Sequence, residues 1–219
     1  MANAKSGKMI RNALTMMAGT FSSRILGLLR EVITAACFGA SRSLDAFFVA
    51  YTIANLGRQL LAEGALSASF VPVFSQVLEH DGRRRAEHLA RQALTVILCA
   101  GTGVVLAGMV FSPQLIALIA PGFSAEKARL AASMTRQMFP FLLFISAAAL
   151  VMGALNSMDC FLVPALAPAL SNAAYIITVI LTSRTWGVQG LVAAVLLGGA
   201  AQLLFQWWWA ASSEGFLLV

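Results

Sequence analysis

Arg24, Arg30 and Arg58 lie in stretches made largely of Leu, Ile, Val, Phe and Ala, within SSRILGLLREVITAACFGASRSLDAFFVAYTIANLGRQLLAEG (22–64). A guanidinium stays charged at any working pH, and its planar fork donates two parallel hydrogen bonds to one oxyanion. These residues therefore suit the binding of an anion, and phosphate is the natural guest. Bond-making chemistry has little support. His80 and His88 both fall in the Arg-rich stretch EHDGRRRAEHLAR, and no two acids stand at useful spacing within one apolar segment. Cys37, Cys99 and Cys160 are far apart and have no His near them, so they define neither a metal site nor a disulfide framework. They read as small packing residues. An enzyme and a cofactor are thus not expected.

On an ideal helix each residue turns about 100°. Arg24, Gly27 and Glu31 then share one face, while Arg30 points about 120° from Arg24. A straight helix cannot aim both arginines at one cavity, although a bend at Gly27 could. Asn55, Arg58 and Ala62 share a face of the next helix, and Asp45 lies about 20 Å from Arg58 along its axis. Asp45 is therefore expected near an end of its span and Arg58 nearer the middle. A charge at mid-membrane costs about 2.5–3.5 kcal/mol. Three lipid-facing arginines would cost about 8–10 kcal/mol, comparable to the stability of a whole fold. They should face an interior lined by water or acids. Two plainer readings stand beside this one: intrahelical pairs Arg24–Glu31 and Arg58–Glu63, and snorkelling of Arg24 or Arg30 to the interface.

The elements that must position these residues are membrane helices. Of the 219 residues 59% are hydrophobic and 11% charged, against about 25% charged in a soluble domain. Six apolar segments stand out, at about 10–38, 44–78, 91–112, 131–157, 160–182 and 187–210. The first is interrupted by Arg24, Gly27, Arg30 and Glu31, and the second is long for one span and has a polar middle, NLGRQLLAEG. An all-α, polytopic lobe of six spans is expected. Lys5, Lys8, Arg11, Arg83, Arg84, Arg85 and Arg91 fall on one side, and Arg42, Lys127, Arg129, Arg136 and Arg184 on the other. That bias argues for both termini inside, the first helix being retained because no clear cleavage site follows it. The net charge of +6 is spent on topology and on the apolar segments, with no basic surface interleaved with aromatics for nucleic acid. SPQLIALIAPGFSAEKARL (112–130) could form a short interfacial helix or an ordinary loop. The WWW at 207–209 reads as a headgroup belt, and Pro164 and Pro168 as a kinked helix entry or a hinge. Gly101, Gly103, Gly108, Gly198 and Gly199 suit close helix packing.

Several stretches carry a family resemblance in order: SRILGLLREVITAACFGASRSLDAFFVAYTIANLGRQLLAEGALSASFVPVF, APGF (120–123), FPFLLFISAAALVMGALNS (139–157), VPALAPALSN (163–172) and GVQGLVAAVLLGGAAQLLFQ (187–206). Together they resemble the MurJ (MviN) family of lipid II flippases, in the multidrug/oligosaccharidyl-lipid/polysaccharide exporter superfamily. The resemblance implies two six-helix lobes related by a pseudo-two-fold, two further C-terminal helices, and a V-shaped central cavity that alternates between inward-open and outward-open. It implies lipid II as cargo, with membrane lipids around it, in the bacterial cytoplasmic (inner) membrane and in service of peptidoglycan biosynthesis. By motif, the family's essential first-helix arginines fall on Arg24 and Arg30, its DAFF aspartate on Asp45, its N-L-x-R arginine on Arg58 and its AEG acid on Glu63. Arg24, Arg30 and Arg58 are accordingly expected to bind cargo, and Asp45, Asn55 and Glu63 to gate or line the cavity. The chain stops after the sixth apolar segment, so the C-terminal lobe is expected to be absent from it. It would be either a fragment or a truncated copy. Another exporter of the same superfamily, for polysaccharide or drug, and a non-transporting membrane module are the alternatives. Arginines in the cavity count against a site for cationic drugs.

Overall fold

The computed structural model describes residues 2–60 and 67–212. Among them the regular structure is all helical, with these α-helices: α1 (Ala2–Phe38), α2 (Arg42–Arg58), α3 (Ser67–His80), α4 (Arg83–Val110), α5 (Ser112–Ile119), α6 (Ala125–Met138), α7 (Phe141–Ser157), α8 (Leu162–Trp186) and α9 (Gln189–Ser212). Four stretches are long and apolar enough to cross a bilayer: Arg83–Val110, Ala125–Ser157, Leu162–Trp186 and Gln189–Ser212. This is an all-α, multi-pass membrane chain.

The breaks follow local chemistry. Gly39, at φ 57°, ends α1 in the left-handed region, and Ser41 caps α2 by accepting from the Leu44 amide at 3.2 Å. Ser124 caps α6 in the same way, from the Lys127 amide at 3.4 Å. Pro113 opens α5, where its missing N–H costs nothing. Pro140 lies between α6 and α7, so the segment expected at 131–157 is two helices, and it begins earlier, at Ala125. The basic stretch after His80 is also not a loop. Gly82, at φ 81°, precedes α4, and Arg83, Arg84, Arg85 and Arg91 sit in its opening turns. The interfacial stretch resolves as the short helix α5, burying Ile116 and exposing Leu118. The expected segment 44–78 corresponds to α2 and α3, and its middle, including Ala62 and Glu63, lies outside the described residues.

α9 packs against α7 and α8, α8 also takes α1, and α7 takes α3 and α4. α2 lies on α6 and α7, and α5 on α6. One apolar cluster joins α2, α6, α7, α8 and α9 around Phe47, Met138 and Leu191. A second joins α3, α4, α7, α8 and α9 around Phe74 and Leu155. Small residues set the α1–α8–α9 spacing. A carbon added at Gly19 would come within 2.5 Å of the Ala165 methyl, and one at Gly198 within 3.0 Å of the Ser171 carbonyl oxygen. The close approach holds α1 against α8 and brings its later turns level with the middle of α2.

Candidate functional site

The cavity between α1, α2, α7, α8 and α9 has a volume of about 320 Å³. Its polar lining comes chiefly from Arg30, Tyr51, Asn55, Arg58, Asn172 and Gln202. Two guanidinium groups thus share one concave space, and among the described residues no carboxylate lines it.

Arg30 is held on several sides. Its Nη1 donates to the Tyr51 hydroxyl at 3.3 Å, and its guanidinium carbon lies 5.1 Å from the Tyr51 ring centroid and 4.9 Å from that of Tyr175. Both distances fall in the range where an aromatic face attracts a cation. Thr34, one turn along α1, gives its hydroxyl hydrogen to the Arg30 carbonyl at 2.7 Å. A hydroxyl has one hydrogen, so in the 3.3 Å contact between the Thr34 and Tyr175 hydroxyls Tyr175 must be the donor. Phe47, one turn before Tyr51, stacks on that ring at 5.9 Å. A second cavity, of about 160 Å³ and lined by Glu31, Thr34, Phe47 and Phe48, lies beyond this group. Arg30, Tyr51 and Tyr175 line both cavities. These three side chains form the boundary that the two cavities share.

Arg58 is set from within its own helix. Its Nε donates to the Asn55 amide oxygen at 2.9 Å, which fixes the side chain through the base of its fork. Tyr51, Asn55 and Arg58 stand at helical spacings of four and three and form one stripe along α2, as the expected shared face of Asn55 and Arg58 requires.

Arg24 does not join them. α1 runs as one unbroken helix through Gly27, and Arg24 is not brought to the cavities that Arg30 lines. The face of α1 that meets α8 carries Ser23, Gly27, Arg30 and Thr34. Asn172 donates to the Ser23 carbonyl at 3.1 Å, and its amide nitrogen would lie 3.7 Å from a carbon added at Gly27. Arg24 is exposed and lines neither cavity around Arg30. Among the described residues it forms no ion pair with Glu31, so the expected intrahelical pair is absent.

Asp45 lies at the start of α2, well away from Arg58, as the spacing anticipates. Its partner is a lysine: Lys127 of α6 reaches it at 2.9 Å, with its own ammonium 4.0 Å from the Phe123 ring centroid. Glu63 lies outside the described residues. Sequence reasoning passed over Tyr51, Tyr175, Asn172 and Lys127. Tyr51 was within reach, four residues before Asn55 on the same stripe. The others come from α6 and α8, and only packing places them.

A family model described as lipid II flippase MurJ matches residues 34–216. The lipid II flippase MurJ of Burkholderia cenocepacia is 37% identical over 194 residues, covering 87% of this chain and 38% of that protein. A probable lipid II flippase MurJ of Bdellovibrio bacteriovorus is 37% identical over 197 residues with the same coverage, 87% and 38%. Among solved structures, a lipid II flippase MurJ in an inward closed conformation aligns with a TM-score of 0.74 at 29% identity, covering 87% of this chain and 40% of that one. A multidrug resistance MATE family transporter in an outward-facing conformation aligns with a TM-score of 0.79 at 18% identity, covering 97% and 46%, a likeness of fold alone. The chain spans about two-fifths of the length of the curated relatives it matches.

Proposed function

Because the chain belongs to the lipid II flippase MurJ family, we propose that it forms the N-terminal, anion-binding lobe of a flippase for lipid II in the bacterial cytoplasmic membrane. The observation that carries this reading is the shared cavity of Arg30, Asn55 and Arg58, with no carboxylate among its described lining residues. Two guanidinium forks at one concavity suit a pyrophosphate, which offers oxygens on two adjacent phosphorus atoms. At about 320 Å³ the cavity takes that group and leaves the bulk of a glycopeptide headgroup to an adjoining space, which a second lobe would enclose.

The lobe is read as six spans with both termini on the cytoplasmic side, working by alternating access against a second lobe of the same kind. Arg30 and Arg58 hold the pyrophosphate, and Asn55 orients Arg58. Arg24, which lines neither cavity around Arg30, falls outside this contact set. Asp45 and Lys127 tie α2 to α6 at the far end from Arg58 and bias the equilibrium between states rather than cargo affinity. Binding and rearrangement account for the activity, and no catalytic step is assigned.

Titration of the 219-residue chain in lipid nanodiscs with undecaprenyl pyrophosphate, and separately with neutral undecaprenol, tests the reading. Binding of the pyrophosphate that is lost in Arg30→Ala supports it. Equal binding of both lipids, or binding indifferent to Arg30→Ala, overturns it.

A further inference from the structure

A second basic recess lies outside the central cavity, between α5 and α6. It has a volume of about 270 Å³ and is lined by Pro113, Ala128, Arg129, Ala132, Ser133 and Arg136. We propose that this recess binds the phosphate of an anionic membrane lipid such as phosphatidylglycerol. Arg129 and Arg136 are seven residues apart on α6, two turns on one face, with Ser133 between them.

Each arginine is anchored through the base of its fork. Arg129 Nε donates to the Ala125 carbonyl at 3.2 Å, and Arg136 Nε to the Met109 carbonyl at 3.0 Å. The Nη groups, the ends that pair with oxyanions, are left for the recess. Ser133 accepts from Gln137 Nε2 at 3.2 Å and so keeps its own hydroxyl hydrogen to donate. No carboxylate lines the recess among the described residues. Three donor groups therefore surround a space with no lining acid to fill it.

The place of the recess selects an amphiphile over a free ion. α6 carries Glu126, Lys127, Arg129 and Arg136, whereas α7, which continues the same apolar stretch Ala125–Ser157, carries no charged residue. The change from charged to uncharged sequence falls just after Arg136, where headgroups meet acyl chains. Val110 and Phe111, at the turn into α5 that leads to Pro113 of the recess, are exposed apolar side chains that suit an acyl chain. Arg136 also satisfies a carbonyl in the last turn of α4, so a purely structural role must be separated from binding.

Native mass spectrometry of the detergent-purified 219-residue chain with added phosphatidylglycerol or phosphatidylcholine tests this. The wild type should retain one phosphatidylglycerol in preference to phosphatidylcholine. Arg129→Gln, at an exposed position, should weaken that retention about tenfold, since it removes a charge-assisted contact. Arg84→Gln, in the separate basic cluster at the start of α4, should leave it unchanged. Equal loss in both variants, or none in Arg129→Gln, overturns the site. Binding of glycerol phosphate at the recess with no phosphatidylglycerol retained overturns the lipid assignment.

Discussion

The hydroxyl of Tyr175 and the guanidinium of Arg30 are joined by a closed circuit: ring face to cation at 4.9 Å, Tyr175 hydroxyl to Thr34 at 3.3 Å, and Thr34 hydroxyl back to the Arg30 carbonyl at 2.7 Å. A long, flexible side chain on α1 is thereby held by a residue of α8. Holding it in advance lowers the entropy lost when an anion binds. Tyr175→Phe keeps the ring and breaks the circuit; Tyr175→Leu removes both. The Leu variant should lose the larger part of its affinity for undecaprenyl pyrophosphate, about 3- to 30-fold for a cation–π contact worth about 0.5–2 kcal/mol. Equal affinity in Phe and Leu variants, measured by titration in nanodiscs, would show that the ring does not position Arg30.

Arg30 and Arg58 should behave as forks, not as point charges. Replacement by Ala is expected to cost about 10- to 100-fold in affinity for the pyrophosphate lipid, from the loss of charge-assisted bonds worth about 1.5–3 kcal/mol. Replacement by Lys should recover only part of this, because an ammonium cannot donate bidentately. Abundance and thermal stability should stay close to wild type. A fall in stability ahead of affinity would instead assign the arginines to the scaffold.

Arg24→Ala gives the contrasting expectation. The side chain is exposed and lines neither cavity around Arg30. Its removal should leave affinity for undecaprenyl pyrophosphate within about threefold in the same titration, well below the change expected for a direct charged contact. A loss as large as that of Arg30→Ala would place Arg24 in the binding site after all.

Asp45 and Lys127 form a partly exposed pair, with side chains 63% and 19% exposed. Such pairs contribute about 0–1 kcal/mol. Asp45→Asn and Lys127→Met should each lower the melting temperature by no more than a few degrees, and the double variant by little more than either alone. Affinity for the pyrophosphate lipid should not move. A thermal-shift double-mutant cycle reads the coupling directly, and strict additivity would show that the pair carries none.

The orientation can be read by cysteine labelling in a background lacking Cys37, Cys99 and Cys160, none of which is in a disulfide among the described residues. A cysteine at Gly82 should react only from the cytoplasmic side and one at Ala40 only from the outside. The reverse pattern would invert the lobe.

Much of this arrangement was legible in the chain. Apolar runs located the helices, and the spacing of Asn55 and Arg58 placed both on one stripe. The rule of about 100° per residue also stated the condition for Arg24 and Arg30 to share a cavity, a bend at Gly27. The helix stays continuous, and Gly27 serves as a place where the Asn172 amide of α8 packs against α1. That use depends on a neighbour far away in sequence, and no local pattern announces it. The same holds for Lys127, which meets Asp45 because α6 lies along α2. Pro140 was visible, but whether it would kink or divide the segment depended on its packing.

The layer formed by Arg30, Tyr51 and Tyr175 has a cost and a use. Arg30, Tyr51 and Tyr175 form the boundary that the two cavities share, and one of the three carries a permanent positive charge. A membrane that stores energy as ion gradients cannot tolerate a continuous wet path through its transporters. A guanidinium in a narrow passage repels protons and metal cations, as arginine does in water-selective pores. At about 4 Å that repulsion amounts to about 4 kcal/mol in a medium of intermediate polarity. The same charge draws an anionic headgroup toward the layer. On the proposed reading, one residue serves both to attract an anionic headgroup and to repel cations.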